Sequence, residues 1–344
     1  MKSTDFKFAV PKTLIAQHPK NPRDECKMMV IDRKAKSIDT KKFKDILDYF
    51  NEDDCLVLND SRVFAARLYG VKEKTNAKIE VFLLRQLSQE ENIWDVLVDP
   101  ARKVRIGNRI FLTKNLFCEV IDNTTSRGRI VRFNYRGDFQ KYIEKLGRTP
   151  LPPYIKREAS DADRDNYQTV YAENVGSVAA PTAGLHFTKE LLRKIEKKGV
   201  TILPITLHIG LGTFRPVEVE DLTKHRMDSE FFEIPDYTAD EVNAAIENKK
   251  KIIACGTSVA RVLEANTTAG RFIRSGRGWT DKFIYPPQTL KVVDKFITNF
   301  HQPQSTMIML VCAFSDKDLV MKAYKKAVKE KYRFYSYGDA MFIV

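Results

Sequence analysis

The 344-residue sequence lacks any apolar run long enough to cross a membrane. Its longest uninterrupted apolar stretch is Met307–Phe314, whereas a membrane-spanning helix needs about 20 residues. The amino terminus, MKSTDFKF, carries charges where a secretory signal peptide requires an apolar segment. We therefore expect a cytoplasmic globular protein with no membrane partner, and the hydrophobic fraction of 43% and charged fraction of 30% agree with that class.

Cysteine and histidine are scarce, and neither type is paired in a metal-binding pattern. The cysteines show no CxxC spacing, which indicates reduced thiols rather than disulfides or a zinc site. They are Cys26, Cys55, Cys118, Cys255 and Cys312. The histidines form no HxxxH or HxH pair; they are His18, His186, His208, His225 and His301. The sequence therefore predicts no bound metal.

Acidic residues are outnumbered, since 58 Lys and Arg face 45 Asp and Glu, a net charge of +13. Between Arg62 and Arg157 there are 20 Lys or Arg and 10 Asp or Glu, so this segment alone contributes +10. Such concentration favours a polyanionic partner, because Lys and Arg displace counterions from phosphates. We expect nucleic acid to be that partner; a basic surface without a partner is the alternative.

Apolar periodicity changes along the chain and predicts two kinds of architecture. Residues 42–50 repeat apolar positions at helical spacing, and a short buried strand follows at Cys55–Leu58. From about Val63 to Tyr142 the period is two, which is typical of short strands, and the polar stretch Asp122–Gly128 predicts a hairpin turn. The predicted strands are Lys78–Leu84, Ile93–Val98, Arg109–Leu112, Phe117–Ile121 and Ile130–Asn134.

Helices and strands alternate after about Ser160. Thr188 is a predicted N-cap for a helix through Lys198, and Ser305 or Thr306 for the apolar helix that follows. We predict an α/β main domain built from both chain ends, residues 1–62 and 151–344. An all-β, barrel-like domain is inserted at residues 63–150.

A GxG motif follows a predicted strand at Val200–Ile209. A dinucleotide-binding interpretation fails, because the Phe-Arg-Pro that follows does not open the helix needed to hold a pyrophosphate. Glycines do allow backbone to approach a ligand closely. The predicted ligand contacts are Gly210, Gly212, Thr213 and Arg215. The alternative is a glycine turn that only reverses the chain.

Two more segments place small polar residues before a predicted helix. In APTAGLHFT, Thr182 and Gly184 lie where amide donors suit a carboxylate or an oxygen-rich ligand. His186 in the same segment is either a core residue or a catalyst. In GTSVARVLE, Gly256 and Thr257 begin a helix that could recognise an anion or an amino acid. Its Arg261 and Glu264 are expected to pair on the helix surface.

The stretch Asp281–Phe314 is the densest in polar groups between apolar runs. It holds Thr298, Asn299, His301, Ser305 and Thr306. Buried polar side chains must find hydrogen-bond partners, so these residues are either locked into the fold or directed at a ligand. In the tail, YRFYSYGDAMFIV supplies aromatic faces and the carboxylate of Asp339.

Taken in order, these segments resemble the S-adenosylmethionine:tRNA ribosyltransferase-isomerase family of queuosine biosynthesis. The amino-terminal LIAQHPKNPRD (Leu14–Asp24) and LVLNDSRVFAARL (Leu56–Leu68) also resemble it. The likeness runs from about Leu14 to the last residue. It implies the layout predicted above, a larger α/β domain interrupted by a β-barrel.

The resemblance implies an unusual use of S-adenosylmethionine as co-substrate. Its ribosyl part is transferred to 7-aminomethyl-7-deazaguanine at the wobble position of tRNA, and the ribose is rearranged to give epoxyqueuosine with loss of adenine and methionine. A sulfonium acidifies the adjacent carbon, so a base must remove a proton and an acid must assist adenine departure. The alternatives are a tRNA-binding protein without chemistry and a conventional methyltransferase.

The segments described above supply candidate residues for this chemistry, but the sequence does not assign one role to one residue. The catalytic candidates are His186, His208, His301 and Asp339, with Asp60 as a further candidate carboxylate. The candidates for binding S-adenosylmethionine are Thr182, Gly184, Gly210, Gly212, Thr213, Arg215, Gly256, Thr257 and Asn299. The candidates for binding tRNA are Arg62, Arg102, Lys103, Arg105 and Arg109. A monomer is expected.

Four positions depart from the family pattern: Cys26, Asp228, Pro287 and Gln302. We expect none of them to fall on the polar segments described above. Asp228 replaces a usual histidine, and we therefore expect that histidine to be dispensable. The base-versus-acid assignment, and the domain that contacts the anticodon arm, stay open at this point.

Overall fold

The computed structural model describes residues 1–124 and 128–344, which form 17 β-strands and seven α-helices. The strands are β1 (Lys27–Asp32), β2 (Ser37–Lys42), β3 (Cys55–Asn59), β4 (Ser61–Val63), β5 (Arg67–Lys72), β6 (Lys78–Ser88), β7 (Ile93–Asp99), β8 (Arg109–Thr113), β9 (Leu116–Asn123), β10 (Arg129–Tyr135), β11 (Asn174–Ser177), β12 (Thr201–Leu207), β13 (Glu230–Ile234), β14 (Ile252–Cys255), β15 (Gly276–Thr280), β16 (Lys295–Asn299) and β17 (Ala340–Ile343). The helices are α1 (Phe139–Leu146), α2 (Asp163–Asn166), α3 (Lys189–Lys197), α4 (Asp236–Glu247), α5 (Thr257–Ala265), α6 (Thr306–Phe314) and α7 (Lys317–Lys329).

A mixed sheet forms the main body, and within the described residues it has nine strands in the order β15-β13-β12-β3-β14-β16-β17-β1-β2. Its centre, β12-β3-β14-β16, is parallel. Successive side chains of β3 enter two apolar clusters, since Val57 belongs to one and Leu56 and Leu58 to the other. Helices α4, α5, α6 and α7 supply the first cluster, and α3 the second. Both faces of the sheet are therefore covered, as parallel strands require.

The barrel is closed by strands in the order β10-β7-β6-β5-β8-β9, all antiparallel. Its interior is filled by alternate side chains such as Val81, Val96 and Val131. Helix α1, capped by Asp138, packs Ile143 onto the same core. The predicted fold class, an α/β domain from both chain ends with an inserted barrel, is confirmed. The domain boundaries at residues 62, 63, 150 and 151 stay a prediction.

The local predictions are confirmed where capping or burial is strong. Thr188 accepts a hydrogen bond from the Leu191 amide at 3.1 Å, and Ser305 caps α6. One element differs, because residues 42–50 contain a 3₁₀-helix at Phe43–Tyr49 instead of the expected α-helix. Residues 125–127 of the predicted hairpin turn lie outside the described residues. No helix in the described part of the chain is long and apolar enough to cross a membrane.

Candidate functional site

The candidate loops meet at one edge of the main sheet. Parallel strands point their carboxyl ends to the same edge, so the segments after β3, β12, β14 and β16 lie side by side there. These segments begin at Asp60, His208, Gly256 and Phe300. Strand β17 runs antiparallel to β16, which brings Asp339 to this edge as well. The structure thus brings together loops that are more than 200 residues apart in sequence.

A small cleft of about 50 Å³ lies between these loops. Six candidate residues line it: Thr182, Thr213, Gly256, Thr257, Asn299 and His301. The Thr182 hydroxyl donates to Asn299 Oδ1 at 3.1 Å, which links the segment before α3 to the end of β16. Gly256 has φ of +95°, a backbone conformation that favours glycine, and it directly precedes α5.

A large cleft of about 1080 Å³ lies between the barrel and the main sheet, and Ile209 belongs to the walls of both clefts. Gly210, Arg215 and His208 line it from the main sheet. Among the described lining residues, carboxylates outnumber guanidinium groups. The carboxylates belong to Asp95, Asp138, Asp228 and Glu230, and the guanidinium groups to Arg85 and Arg215. Because Glu230 is ion-paired with the buried Arg261, three carboxylates remain against two guanidinium groups, a small acidic excess in a basic protein.

His208 is the candidate histidine that faces the large cleft. Its Nδ1 lies 2.8 Å from Ser61 Oγ, and Ser61 in turn lies 2.6 Å from Ser177 Oγ. Its ring also packs on Gly176, where a Cβ would lie 2.5 Å from Nε2. Burial lowers the pKa of His208, so the ring is neutral near pH 7. Nε2 has no hydrogen-bond partner within residues 1–124 and 128–344.

His186 is buried behind the small cleft and has both ring nitrogens engaged. Nδ1 lies 3.2 Å from Cys26 Sγ, and Nε2 lies 3.1 Å from Asn299 Nδ2. Because an amide nitrogen only donates, Nε2 accepts and the proton resides on Nδ1. Burial, with Arg333 and Arg23 nearby, lowers the pKa of His186 to about 3. The geometry fits a residue that positions Asn299 better than one that carries protons.

His301 and Asp339 are likewise held by the protein. His301 Nε2 lies 2.7 Å from Thr298 Oγ1, and burial lowers the pKa of His301 to about 3. The Asp339 carboxylate accepts from the amide and guanidinium of Arg333, at 2.8 to 3.2 Å, and from the Lys27 amide. It anchors the start of β17 and is not on the wall of either cleft.

Two of the remaining glycine candidates, Gly184 and Gly212, serve close packing. A Cβ on Gly184 would overlap Tyr171 Oη, and one on Gly212 would lie 2.7 Å from Asp228 Oδ2. Gly210 donates its amide to Glu230 Oε1 at 2.8 Å. Asp60 accepts from Thr206 and Asn174 at 2.6 and 3.0 Å, and burial raises its pKa.

The tRNA-binding candidates are exposed. Arg102 and Lys103 lie in a 3₁₀ turn, with Arg105 just after it, and Arg62 lies on β4. Arg109 forms a salt bridge with Glu119 at 3.2 Å, so it carries less free charge than its neighbours. Among the described residues, no group of three or more His, Cys, Asp or Glu is arranged to hold a metal ion.

Two expectations need correction. Arg261 does not pair with Glu264; it is buried and forms an ion pair with Glu230, because α5 turns that face toward β13. The family departures do fall on the site. Cys26 contacts His186, Asp228 lines the large cleft, and Gln302 lines the small one. Pro287 is exposed and lines neither.

Sequence reasoning missed the groups that support His208 and the glycine loop, namely Ser61, Ser177, Glu230 and Arg261. It also missed Trp94, whose indole Nε1 is buried on the wall of the large cleft without an acceptor among the described residues. The serines lie in or next to segments that the sequence already marked, but no spacing rule links residues 61, 177 and 208.

Comparison with known proteins identifies the family. A family model described as "Queuosine biosynthesis protein" matches residues 3–343. The S-adenosylmethionine:tRNA ribosyltransferase-isomerases of Cytophaga hutchinsonii and Chloroherpeton thalassium are 57% and 56% identical, each covering 100% of this chain and 100% of the relative. A crystal structure of S-adenosylmethionine tRNA ribosyltransferase from Thermotoga maritima is similar at 34% identity and a TM-score of 0.56, covering 99% of this chain and 100% of that one. The chain with these two clefts therefore belongs to the queuosine biosynthesis protein family.

Proposed function

We propose that this protein transfers the ribosyl part of S-adenosylmethionine to 7-aminomethyl-7-deazaguanine in tRNA and isomerises it. The product is epoxyqueuosine in tRNA, with adenine and methionine released. The bonds from the ribose to sulfur and to adenine break and one carbon–oxygen bond of the ribose ring opens, while a bond to the aminomethyl nitrogen, a ring-closing carbon–carbon bond and the epoxide carbon–oxygen bond form. Sulfur keeps the electron pair of its broken bond. The neutral amine and the carbon next to sulfur each lose a proton, of which one goes to adenine and the other to solvent. The names of the full-length relatives support the donor, the tRNA acceptor and the class of reaction.

One observation carries the proposal: the loops that end the parallel strands converge beside an open cleft between sheet and barrel. A cofactor-sized ligand fits the edge of such a sheet. A cleft of about 1080 Å³ is also wide enough for a nucleobase to enter from outside. Both substrates then reach the same strand ends.

The charge of the large cleft supports the choice of substrates. The sulfonium of S-adenosylmethionine and the aminomethyl group of the base are both cations, which carboxylates attract. The lining offers carboxylates such as Asp228, which lies against Gly212, whereas the charge of Glu230 is already balanced by Arg261. The exposed Arg102, Lys103 and Arg105 suit the phosphates of the tRNA backbone.

His208 is our candidate for the base that removes a proton next to the sulfonium. It faces the large cleft, is neutral near pH 7 because burial lowers its pKa, and is oriented through Nδ1 by Ser61. Nε2 is then the nitrogen that accepts the proton. Asn299 lies on the wall of the small cleft, and the buried His186 holds it through a hydrogen bond.

The experiment is an incubation with S-adenosylmethionine and tRNA that carries 7-aminomethyl-7-deazaguanine. Small products and digested nucleosides are then analysed by mass spectrometry. We expect adenine, methionine and the epoxyqueuosine nucleoside, each dependent on both substrates. Unmodified tRNA, with guanine at the wobble position, is the matched control and should give none of them.

The same assay separates the alternatives. S-adenosylhomocysteine in place of adenine and methionine indicates a methyltransferase. tRNA binding without any small product indicates a binding protein and refutes the proposed reaction.

A further inference from the structure

Four side chains form a continuous stack along one wall of the large cleft. The Arg85 guanidinium, on β6 of the barrel, lies 5.1 Å from the centre of the Trp279 ring. Trp279 meets Phe231 edge-on, with ring centres 5.7 Å apart, and Phe231 stacks on His208 at 5.6 Å and 25°. All four residues line the cleft. The stack therefore runs from the barrel to the candidate base.

The outer end of this stack is open to solvent. Trp279 is 52% exposed although it is one of the two tryptophans in the chain. It lies on β15, the outermost strand of the sheet beside β13. Core packing does not account for an indole in this position, because about half of the Trp279 surface remains in contact with solvent. A large aromatic surface beside an Arg is instead suited to a flat, electron-rich ring system.

A second tryptophan on the cleft wall has a hydrogen-bond donor without a partner among the described residues. Trp94, at 9% exposure, has its indole N–H buried on the cleft wall with no acceptor in the described part of the chain. A buried donor without a partner is costly. A ligand that brings a hydrogen-bond acceptor into the cleft would satisfy it.

Distance within the sheet excludes one candidate cofactor loop, the one that follows β14, as the source of that ring. Trp279 lies four strands from β14 in the order β15-β13-β12-β3-β14. Neighbouring strands are about 4.8 Å apart, so the separation is about 19 Å. A ring held by Gly256 and Thr257 after β14 therefore does not stack on Trp279.

We propose that Trp279 and Phe231, with Arg85, form a stacking platform for an unpaired nucleobase of the substrate RNA, next to the base that is modified. The inference rests on the proposed function, because it takes the RNA as the ligand of the large cleft. Stacking on aromatic and Arg faces is the usual way in which proteins hold bases of single-stranded RNA loops.

The first test is binding of a fluorescently labelled anticodon stem–loop RNA to the full-length protein. Stacking of one base is worth about 1–3 kcal/mol, so Trp279→Ala should raise Kd at least about fivefold. Trp279→Phe should retain most of the affinity. Tyr237→Ala removes an equally exposed aromatic, 54% exposed on α4 and outside both clefts, and should leave Kd unchanged. The RNA should also quench tryptophan fluorescence more strongly in the wild type than in Trp279→Ala, where Trp94 is the remaining tryptophan.

The second test is turnover with the modified tRNA. We expect Trp279→Ala to raise KM for tRNA at least about fivefold, with kcat and KM for S-adenosylmethionine within about twofold of the wild type. An unchanged Kd for RNA, or a raised KM for S-adenosylmethionine alone, overturns the platform. RNA binding is measured without turnover, so it tests the platform independently of the proposed reaction. If the wild type binds RNA through Trp279 but forms no epoxyqueuosine, only the proposed reaction is refuted.

Discussion

The burial of His186 makes a quantitative prediction about acid stability. Its pKa is about 3 in the folded protein, because burial and nearby cations disfavour the charged ring, and about 6.5 in an unfolded chain. At pH values between about 3 and 6.5, the His186 ring binds a proton in the unfolded state but not in the folded state. The free energy of unfolding therefore decreases as the pH falls from about 6.5 towards 3.

The magnitude follows from the pH interval. One pKa unit is worth about 1.4 kcal/mol, so a drop from pH 7 to pH 5 lowers the free energy of unfolding by about 2 kcal/mol through His186. Replacement by Gln keeps a donor and an acceptor for Cys26 and Asn299 but does not titrate. His186→Gln should thus lose about 2 kcal/mol less than the wild type over the same interval.

Urea denaturation at pH 7, 6 and 5, followed by circular dichroism, measures this difference. Only the change with pH is compared, so any constant loss of stability in the variant cancels. His18→Gln is the matched control, since His18 is exposed, and it should follow the wild type. Equal losses in the wild type and His186→Gln, within about 0.5 kcal/mol, refute the assignment of a neutral buried ring. The His186 ring protons, followed by NMR in the wild type, should also show no titration above pH 5.

Three further predictions concern the site and one the surface. Gly176→Ala should displace the imidazole of His208 and lower kcat at least about tenfold, as measured by steady-state kinetics. Gly270→Ala is the control, because its added methyl group meets only ordinary contacts, and it should leave kcat unchanged. Glu230→Gln leaves the guanidinium of Arg261 buried without its counter-charge and should lower the free energy of unfolding by about 3–5 kcal/mol, measured in urea. With His208 as base, kcat/KM for S-adenosylmethionine should rise with pH to a plateau. The midpoint should lie below 6.5 because burial lowers the pKa of His208 in the free protein, and a midpoint above 6.5 contradicts this role. Three exposed charges can be reversed together by Arg102→Glu, Lys103→Glu and Arg105→Glu. This variant should bind tRNA more weakly, and the slope of log K against log salt concentration should be smaller in magnitude by roughly two to three. An unchanged slope contradicts the predicted contact.

Capping and periodicity predicted much of the fold because both act over a few residues. Thr188 and Ser305 cap their helices as expected, and the period-two segments became the barrel strands. Phe43–Tyr49 is the exception. Its apolar spacing fits either helix type, and packing of the buried Phe43 and Ile46 against the sheet, which the sequence does not specify, selects the tighter one.

The site was predictable as a set of segments but not as a set of roles. Three histidines look alike in sequence, yet His186 and His301 are buried with bonded nitrogens while His208 faces a cleft. Burial depends on which distant strands become neighbours. For the same reason the pairing of Arg261 with Glu230, 31 residues away, was missed in favour of the nearby Glu264.

Strand β17 has a consequence for how the protein is made. Residues 340–343 lie between β16 and β1, so they join the two ends of the chain in one sheet. During synthesis β1 and β16 emerge earlier and keep bare hydrogen-bonding edges until β17 arrives, whereas every strand of the barrel has emerged by Tyr135. The barrel is therefore free to close on the ribosome. The main sheet is completed only after β17 has been translated, and until then the edges of β1 and β16 can form wrong pairs.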